Sequence, residues 1–333
     1  MIIVTGGAGF IGSNLIAALN ARGREDIVLC DYLGTDDKWR NVARRQIADI
    51  VAPEALFSYM REHADSGPWG AVEAVFHLGA NSSTTETDVD LMLAQNFRFS
   101  LDLWRLCSEK GVRLIYASSA ATYGDGGSGF SDGFDKSQLG RLKPLNPYGW
   151  SKHLFDQRVA NLVMDPRTRP PQYVGLKFFN VYGPNEYHKG LMKSVVAQKY
   201  PLAEFRKPVT LFKSHRQDCE DGEQQRDFIY VRDCSDVMLW LFDNPKVNGL
   251  FNLGSGEARS FADMAIALFS ALGRSPQIEF IPMPHHIQGK YQYFTEAQMS
   301  NLRSAGYVAP FTSLEAGISD YVKNFLATDE PYL

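Results

Sequence analysis

Several things are scarce in this sequence, and each scarcity closes off a class of function. Cysteine is one: Cys30, Cys107, Cys219 and Cys234 are widely spaced, and none forms a Cys-x-x-Cys pair. That spacing suits neither a structural zinc site nor a disulfide framework, so no metal is expected and a reducing, cytoplasmic setting fits best. Positive charge is not in surplus either. The 34 Lys+Arg against 38 Asp+Glu leave a formal net charge of -4, without the electrostatic footprint of a nucleic-acid or anionic-membrane binder. No apolar run is long enough to span a bilayer. The opening MIIVTGGAGF has no cationic stretch ahead of its apolar residues, so no secretory leader is read there. Repeats of fixed period and low-complexity tracts are also lacking.

What remains is an ordinary soluble composition, 44% hydrophobic and 22% charged, over 333 residues. That length supports a large core and two domains. Residues 2–4 (IIV) read as a buried parallel strand. They run into TGGAGFIG, which sets Gly6, Gly9 and Gly12 at three-residue steps, and then into a helical pattern over 13–19 that ends near Gly23. Strand, glycine turn and helix form the context of a dinucleotide site. Glycine lets backbone approach a pyrophosphate, and a helix N-terminus offers it free N–H groups. A second strand, 26–31, ends in Asp31 at the expected distance. Asp31 would take an adenosine ribose, favouring NAD; Lys38 and Arg40 would hold a 2′-phosphate, favouring NADP, or else sit in a solvated loop.

Further strands are expected at 74–78, 112–118 and 173–178, with a helix over 91–110. The alternation predicts an α/β, Rossmann-type doubly wound parallel sheet. Ligands then lie beyond the strand C-termini, where LGANSS, SSAATYG and FNVYGP should converge.

NPYGWSKHLFD places Tyr148 and Lys152 four residues apart, on one face of a helix. A neighbouring ammonium and a cationic nicotinamide ring together favour the phenolate and should pull its pKa toward neutrality. With Ser119 ending its strand, the trio suits removal of an alcohol proton while hydride leaves to a nicotinamide. Lys189, in NEYHKGLMKSV, reads on residue chemistry alone as a surface charge assisting a diphosphate, with His188 as packing.

Together TGGAGFIG, HLGA, SSAATYG, NPYGWSK, FNVYGP and RDFIYVRD resemble the extended short-chain dehydrogenase/reductase superfamily over nearly the whole chain. Within it, SSTTE, YASSAATYG, NEYHKGLMKSV and GKYQYFTEAQMSNLRSAGY resemble the ADP-L-glycero-D-manno-heptose 6-epimerase family of lipopolysaccharide core synthesis. The resemblance implies a bound NADP cycled without net redox and inversion of a heptose C6 through a ketone. It implies a catalytic set of Tyr148 and Lys189, with Ser119 assisting and Lys152 on the cofactor. Cofactor positions implied are Phe10, Ile11, Asp31, Tyr32, Lys38, Leu78, Gly79, Ala80, Asn81, Ser82, Gln95 and Val181, beside Gly6, Gly9 and Gly12. Substrate positions implied are Asn180, Phe212, Ser214, Arg226 and Tyr291, with Ser119 and Lys189. A homo-oligomer is implied too, with a pentamer as one candidate.

Some positions depart from that pattern. Pro53 stands where a second 2′-phosphate lysine is expected, and Leu191 and Gln198 stand where a small polar residue and a histidine are expected. The 213–225 stretch is longer than usual, and Gln95 replaces a commoner asparagine. The domain order implied is a cofactor domain over 1–179, to which the chain returns near 226–250, and a mainly substrate-binding domain over 180–333. A 4,6-dehydratase is disfavoured, because no Asp-Glu pair follows Thr122. A UDP-sugar 4-epimerase needs only Ser119, Tyr148 and Lys152 and is the stronger alternative. A non-catalytic NAD(P)-binding sensor is a third, which would not need the acid–base residues.

Overall fold

The computed structural model describes residues 1–288 and 291–333; Gly289 and Lys290, the first two residues of the GKYQYFTEAQMSNLRSAGY run, lie outside the described residues. In chain order the strands are β1 (Ile2–Thr5), β2 (Ile27–Cys30), β3 (Asp49–Val51), β4 (Ala74–His77), β5 (Arg113–Ser119), β6 (Tyr173–Phe178), β7 (Asn180–Tyr182), β8 (Val209–Phe212), β9 (Gln225–Tyr230), β10 (Gly249–Leu253), β11 (Ala258–Ser260) and β12 (Ile278–Ile281). Seven form one parallel sheet in the order β10-β6-β5-β4-β1-β2-β3. The order reverses at β1, between β4 and β2, so a crevice opens beyond the strand C-termini there. Every residue of β1, β2 and β4 is buried, as expected of parallel strands covered on both faces.

One apolar layer packs Leu15, Ile16 and Leu19 of the Phe10–Ala21 helix with Val237, Met238 and Leu241 of the Val231–Asp243 helix. On the opposite face, Leu103, Trp104 and Leu106 meet Tyr116, Phe155 and Val159. A third cluster joins the three-stranded sheet β11-β9-β7 to the Val195–Glu204, Phe261–Ala271 and Leu314–Tyr321 helices.

The helix expected over 91–110 is not continuous. A short Val89–Met92 turn leads into a π-helical turn, Leu93–Arg98, before the regular Phe99–Lys110 helix. The wider turn carries Asn96 to a buried position while Gln95 is exposed. No helix among the described residues is long and apolar enough to cross a membrane.

Candidate active site

The glycine turn is as tight as its chemistry requires. Gly6 has φ +67°, and a Cβ there would meet the Gly79 backbone nitrogen at 2.6 Å. A Cβ on Gly12 would press on the Gly6 carbonyl and on Gly7 Cα, at 2.8 Å from the latter. The turn therefore lies flat against the end of β4 and leaves its backbone open to a ligand. Asp31 accepts the Ala8 N–H at 3.0 Å through one oxygen and pairs with Lys38 Nζ at 2.7 Å through the other.

A cleft of about 480 Å³ runs along this turn. Gly6, Gly9, Phe10, Ile11, Gly12, Asp31, Lys38, Leu78, Gly79, Ala80, Ser82 and Val181 line it, as do Ser119, Tyr148, Lys152, Asn180 and Lys189. Beyond it lies a second cavity of about 740 Å³. Its walls include Thr84, Thr85, Thr87, Asn146, Arg226, Tyr291 and Gln292. The two share Ser119, Tyr148, Phe178, Phe179 and Asn180. The phenol and the serine therefore stand where the cleft along the glycine turn meets a second chamber.

Asn146 caps the Pro147–Leu162 helix, accepting the Gly149 N–H at 2.8 Å, and Pro147 occupies its first turn. This start fixes Tyr148 at the mouth and Lys152 one turn deeper. Lys152 is 3% exposed and donates to the Ala117 carbonyl at 2.8 Å. Burial lowers its pKa to about 8, against the opposing charge of Asp156. Burial raises the Tyr148 pKa, with the Ser119 hydroxyl pulling it back.

Lys189 sits in a loop pinned to the glycine-turn helix. Asn14 donates to the Pro184 carbonyl at 2.9 Å, Asn185 donates to Ser13 Oγ at 3.0 Å, and His188 Nδ1 lies 3.1 Å from Asn41 Nδ2. Its ammonium lies over the Phe10 ring at 5.2 Å, and burial lowers its pKa. His188 is held neutral, its pKa pushed to about 4 by burial, then by Lys38 and Lys189.

Other expected positions fall outside the two cavities. Tyr32 is 54% exposed and bonds Glu54 at 2.6 Å. Arg40 turns from the cleft and stacks on Tyr332 at 4.5 Å. Gln95 points to solvent; the buried amide is Asn96, which donates to the Asn81 carbonyl at 2.9 Å and to Ser151 Oγ at 3.0 Å. Only the asparagine one place along the chain marked it, and the π-turn that decides between the two has no sequence signature. Asn81 takes part through that bond rather than by lining the cleft. Phe212 and Ser214 stand behind Tyr291 and Tyr293, with Ser214 N–H bonded to Asp221 at 2.7 Å. Arg226 is 8% exposed, set over Tyr291 at 5.1 Å and Phe261 at 5.5 Å. No carboxylate pairs with it among the described residues, because Asp227 instead accepts the N–H groups of Ser255, Gly256 and Ala297. The threonines of the second chamber were not singled out as site residues from the sequence; a run of hydroxyls carries no motif.

The chain matches the NAD dependent epimerase/dehydratase family over residues 2–254. It is 51% identical over 333 residues, covering 100% of both chains, to an ADP-L-glycero-D-manno-heptose-6-epimerase of Nitratidesulfovibrio vulgaris. To one of Fusobacterium nucleatum it is 45% identical, again over 100% of both chains. Among solved structures, the Helicobacter pylori ADP-L-glycero-D-manno-heptose-6-epimerase superposes with a TM-score of 0.76 at 27% identity, covering 97% of this chain and 95% of that one. A UDP-N-acetylglucosamine 4-epimerase from Methanobrevibacter ruminantium reaches the same TM-score at 20% identity, over 98% of each chain, which shows a common fold. On sequence, fold and site together, this chain belongs to the NAD dependent epimerase/dehydratase family and, within it, to the family of the ADP-L-glycero-D-manno-heptose-6-epimerases.

Proposed function

We propose that this protein is a nucleotide-sugar epimerase that inverts C6 of ADP-D-glycero-D-manno-heptose, using bound NADP without net redox. The observation that carries the reading is the shared wall of the two cavities, where Tyr148 and Ser119 line both the cleft along the glycine turn and the second chamber. A nicotinamide ring bound in the first cleft supplies a hydride acceptor and donor. Tyr148 takes the C6 hydroxyl proton of one epimer as its hydride leaves, with Ser119 sharing it, and the protonated Lys189 gives a proton to the carbonyl oxygen when hydride returns to the opposite face. The other epimer presents its hydroxyl in a different direction, and Lys189 serves that one. The lowered pKa of Lys189 suits a lysine that must shed a proton. Arg226, buried and free of a carboxylate among the described residues, takes the diphosphate. Residues 1–179, to which the chain returns near 226–250, hold the cofactor in this reading, and 180–333 mainly hold the sugar nucleotide.

For NADP the support is Lys38, which stands at the Asp31 carboxylate where a ribose 2′-phosphate would fall. Mass spectrometry of nucleotide released from denatured protein tests this; NAD alone would make Asp31 the ribose ligand. A cytoplasmic homo-oligomer is part of the reading, consistent with the free thiols Cys30, Cys107, Cys219 and Cys234. The test of the reaction is incubation with ADP-heptose and, separately, UDP-glucose, without added cofactor, followed by NMR. C6 inversion of the heptose alone is expected. C4 inversion of the glucose would replace the reading, and no turnover with nucleotide retained would point to a sensor.

A further inference from the structure

The Lys189 loop is closed at its base by a buried carboxylate. Glu186 is 0% exposed, yet no Lys or Arg pairs with it among the described residues. Its neighbours are donors. Ser194 donates to it twice, from its backbone N–H and from Oγ at 2.6 Å, and Tyr321 donates its hydroxyl at 3.1 Å. The Gly183 N–H stands at 3.5 Å. Burial raises the Glu186 pKa, and the Ser194 donors, then the Lys189 charge and the Gly183 N–H, oppose that rise by favouring the carboxylate.

This arrangement ties residue 186 to residue 194 across the loop that carries Lys189. Ser194 is also the cap of the Val195–Glu204 helix, accepting the Ala197 N–H at 3.3 Å. The loop is thereby anchored to a regular element at one end and to the glycine-turn helix at the other. Between the anchors its tip stands free: Gly190 has φ +54° and Leu191 is 91% exposed. Gln198 supports the tip from the same helix, donating to the carbonyls of Leu191 at 3.0 Å and Lys193 at 2.7 Å.

Glu186 also supplies charge. Around Lys189 the cleft presents His188 and Lys193 from its own loop, Lys38 and Asp31 from the turn after β2, and Tyr148 and Lys152 from the Pro147–Leu162 helix. Asp31 is already paired with Lys38 at 2.7 Å. Glu186 stands one turn before Lys189, whose backbone N–H donates to the Glu186 carbonyl at 3.1 Å, and the Glu186 charge opposes the downward pull of burial on the Lys189 ammonium.

We infer that Glu186 is the positioning residue of Lys189, clasping its loop at Ser194 and holding its ammonium against the cationic surroundings of the cleft. The inference rests on the two-base reading above, and its test separates the two. Each epimer is offered singly to the nucleotide-bound enzyme, and cofactor reduction is followed in a single turnover. Glu186→Gln should slow the Lys189-served epimer ~10–100-fold and leave the Tyr148-served epimer within about twofold. Removing the carboxylate lowers the Lys189 pKa, so the rise of that epimer's rate with pH should move to lower pH. Ser194→Ala loosens the clasp but keeps the charge. It should slow the same epimer without moving its pH profile, and it carries the test if Glu186→Gln does not fold. Equal slowing of both epimers, or of neither, in these variants overturns the inference. Lys189→Met is the reference: if it slows both epimers equally, the two-base reading itself has failed. If it is selective while Glu186→Gln is not, only the role of Glu186 has failed.

Discussion

Removal of the Lys177 ammonium is expected to unsettle the helix that carries Tyr148 and Lys152. Lys177 on β6 is 0% exposed and pairs with Asp156 at 3.1 Å. It also donates to Thr122 Oγ1 at 2.6 Å and lies over the Tyr123 ring at 4.7 Å. Asp156 lies one turn past Lys152 and accepts Ser118 Oγ at 2.6 Å and Tyr116 OH at 3.2 Å. Ser118 is the neighbour of Ser119, so this buried network underlies both the helix and the strand end of the site. Lys177→Met keeps the apolar stem and leaves the carboxylate with hydroxyl donors alone. Breaking such a pair from one side costs about 3–5 kcal/mol. Replacing Asp156 as well, with Asn, removes the stranded charge and should recover about half of that loss. Urea unfolding of the wild type, both single variants and the double variant measures the coupling. A loss under about 1 kcal/mol in Lys177→Met would show that the carboxylate is neutralised or solvated without its partner, and the argument would fall.

Three further outcomes are expected. Tyr148→Phe should keep nucleotide bound but lower turnover ~10²–10⁴-fold, the span for one acid–base group, and near-normal rates would move that role elsewhere. Activity that needs the Lys152 ammonium should decline as pH rises through about 8, and a profile flat to pH ~10 in the wild type would refute the lowered pKa. Buried His77, bonded to Thr5 at 2.7 Å and Ser100 at 2.8 Å, has its pKa lowered by burial to about 3. Because the unfolded chain takes the proton first, acid should remove about 2 kcal/mol of stability between pH ~7.5 and ~5 through this group, and His77→Gln should lose that slope.

The parts legible in the sequence are those where chemistry and local pattern coincide. The glycine turn, Asp31 and the Tyr148–Lys152 spacing each follow from one strand–turn or one helix, and the structure places all of them in the cleft. The illegible parts depend on distant packing. Gln95 and Asn96 are adjacent amides, and a π-turn decides which is buried. Arg40 is close in sequence to Lys38, yet the ring of Tyr332 draws it away from the cleft. Arg226 and Asp227 are adjacent in sequence, yet the turn at 254–256 claims the carboxylate and leaves the guanidinium between two rings.

In the two-base proposal, the division of the acid–base work follows from where each group is anchored. Tyr148 stands on a capped helix whose start is fixed by Asn146 and Pro147, so its position is set locally. Lys189 has no such support, because its turn contains the non-helical Gly190 and exposes Leu191. Its position is set instead by Asn14, Asn41 and the bond between Ser194 and Glu186, drawn from three parts of the chain. A base held in that way depends on the cofactor half and the substrate half being docked together. Perturbing their contact should therefore impair the Lys189-served epimer before the Tyr148-served one, an asymmetry that a single-base enzyme on this fold would not show.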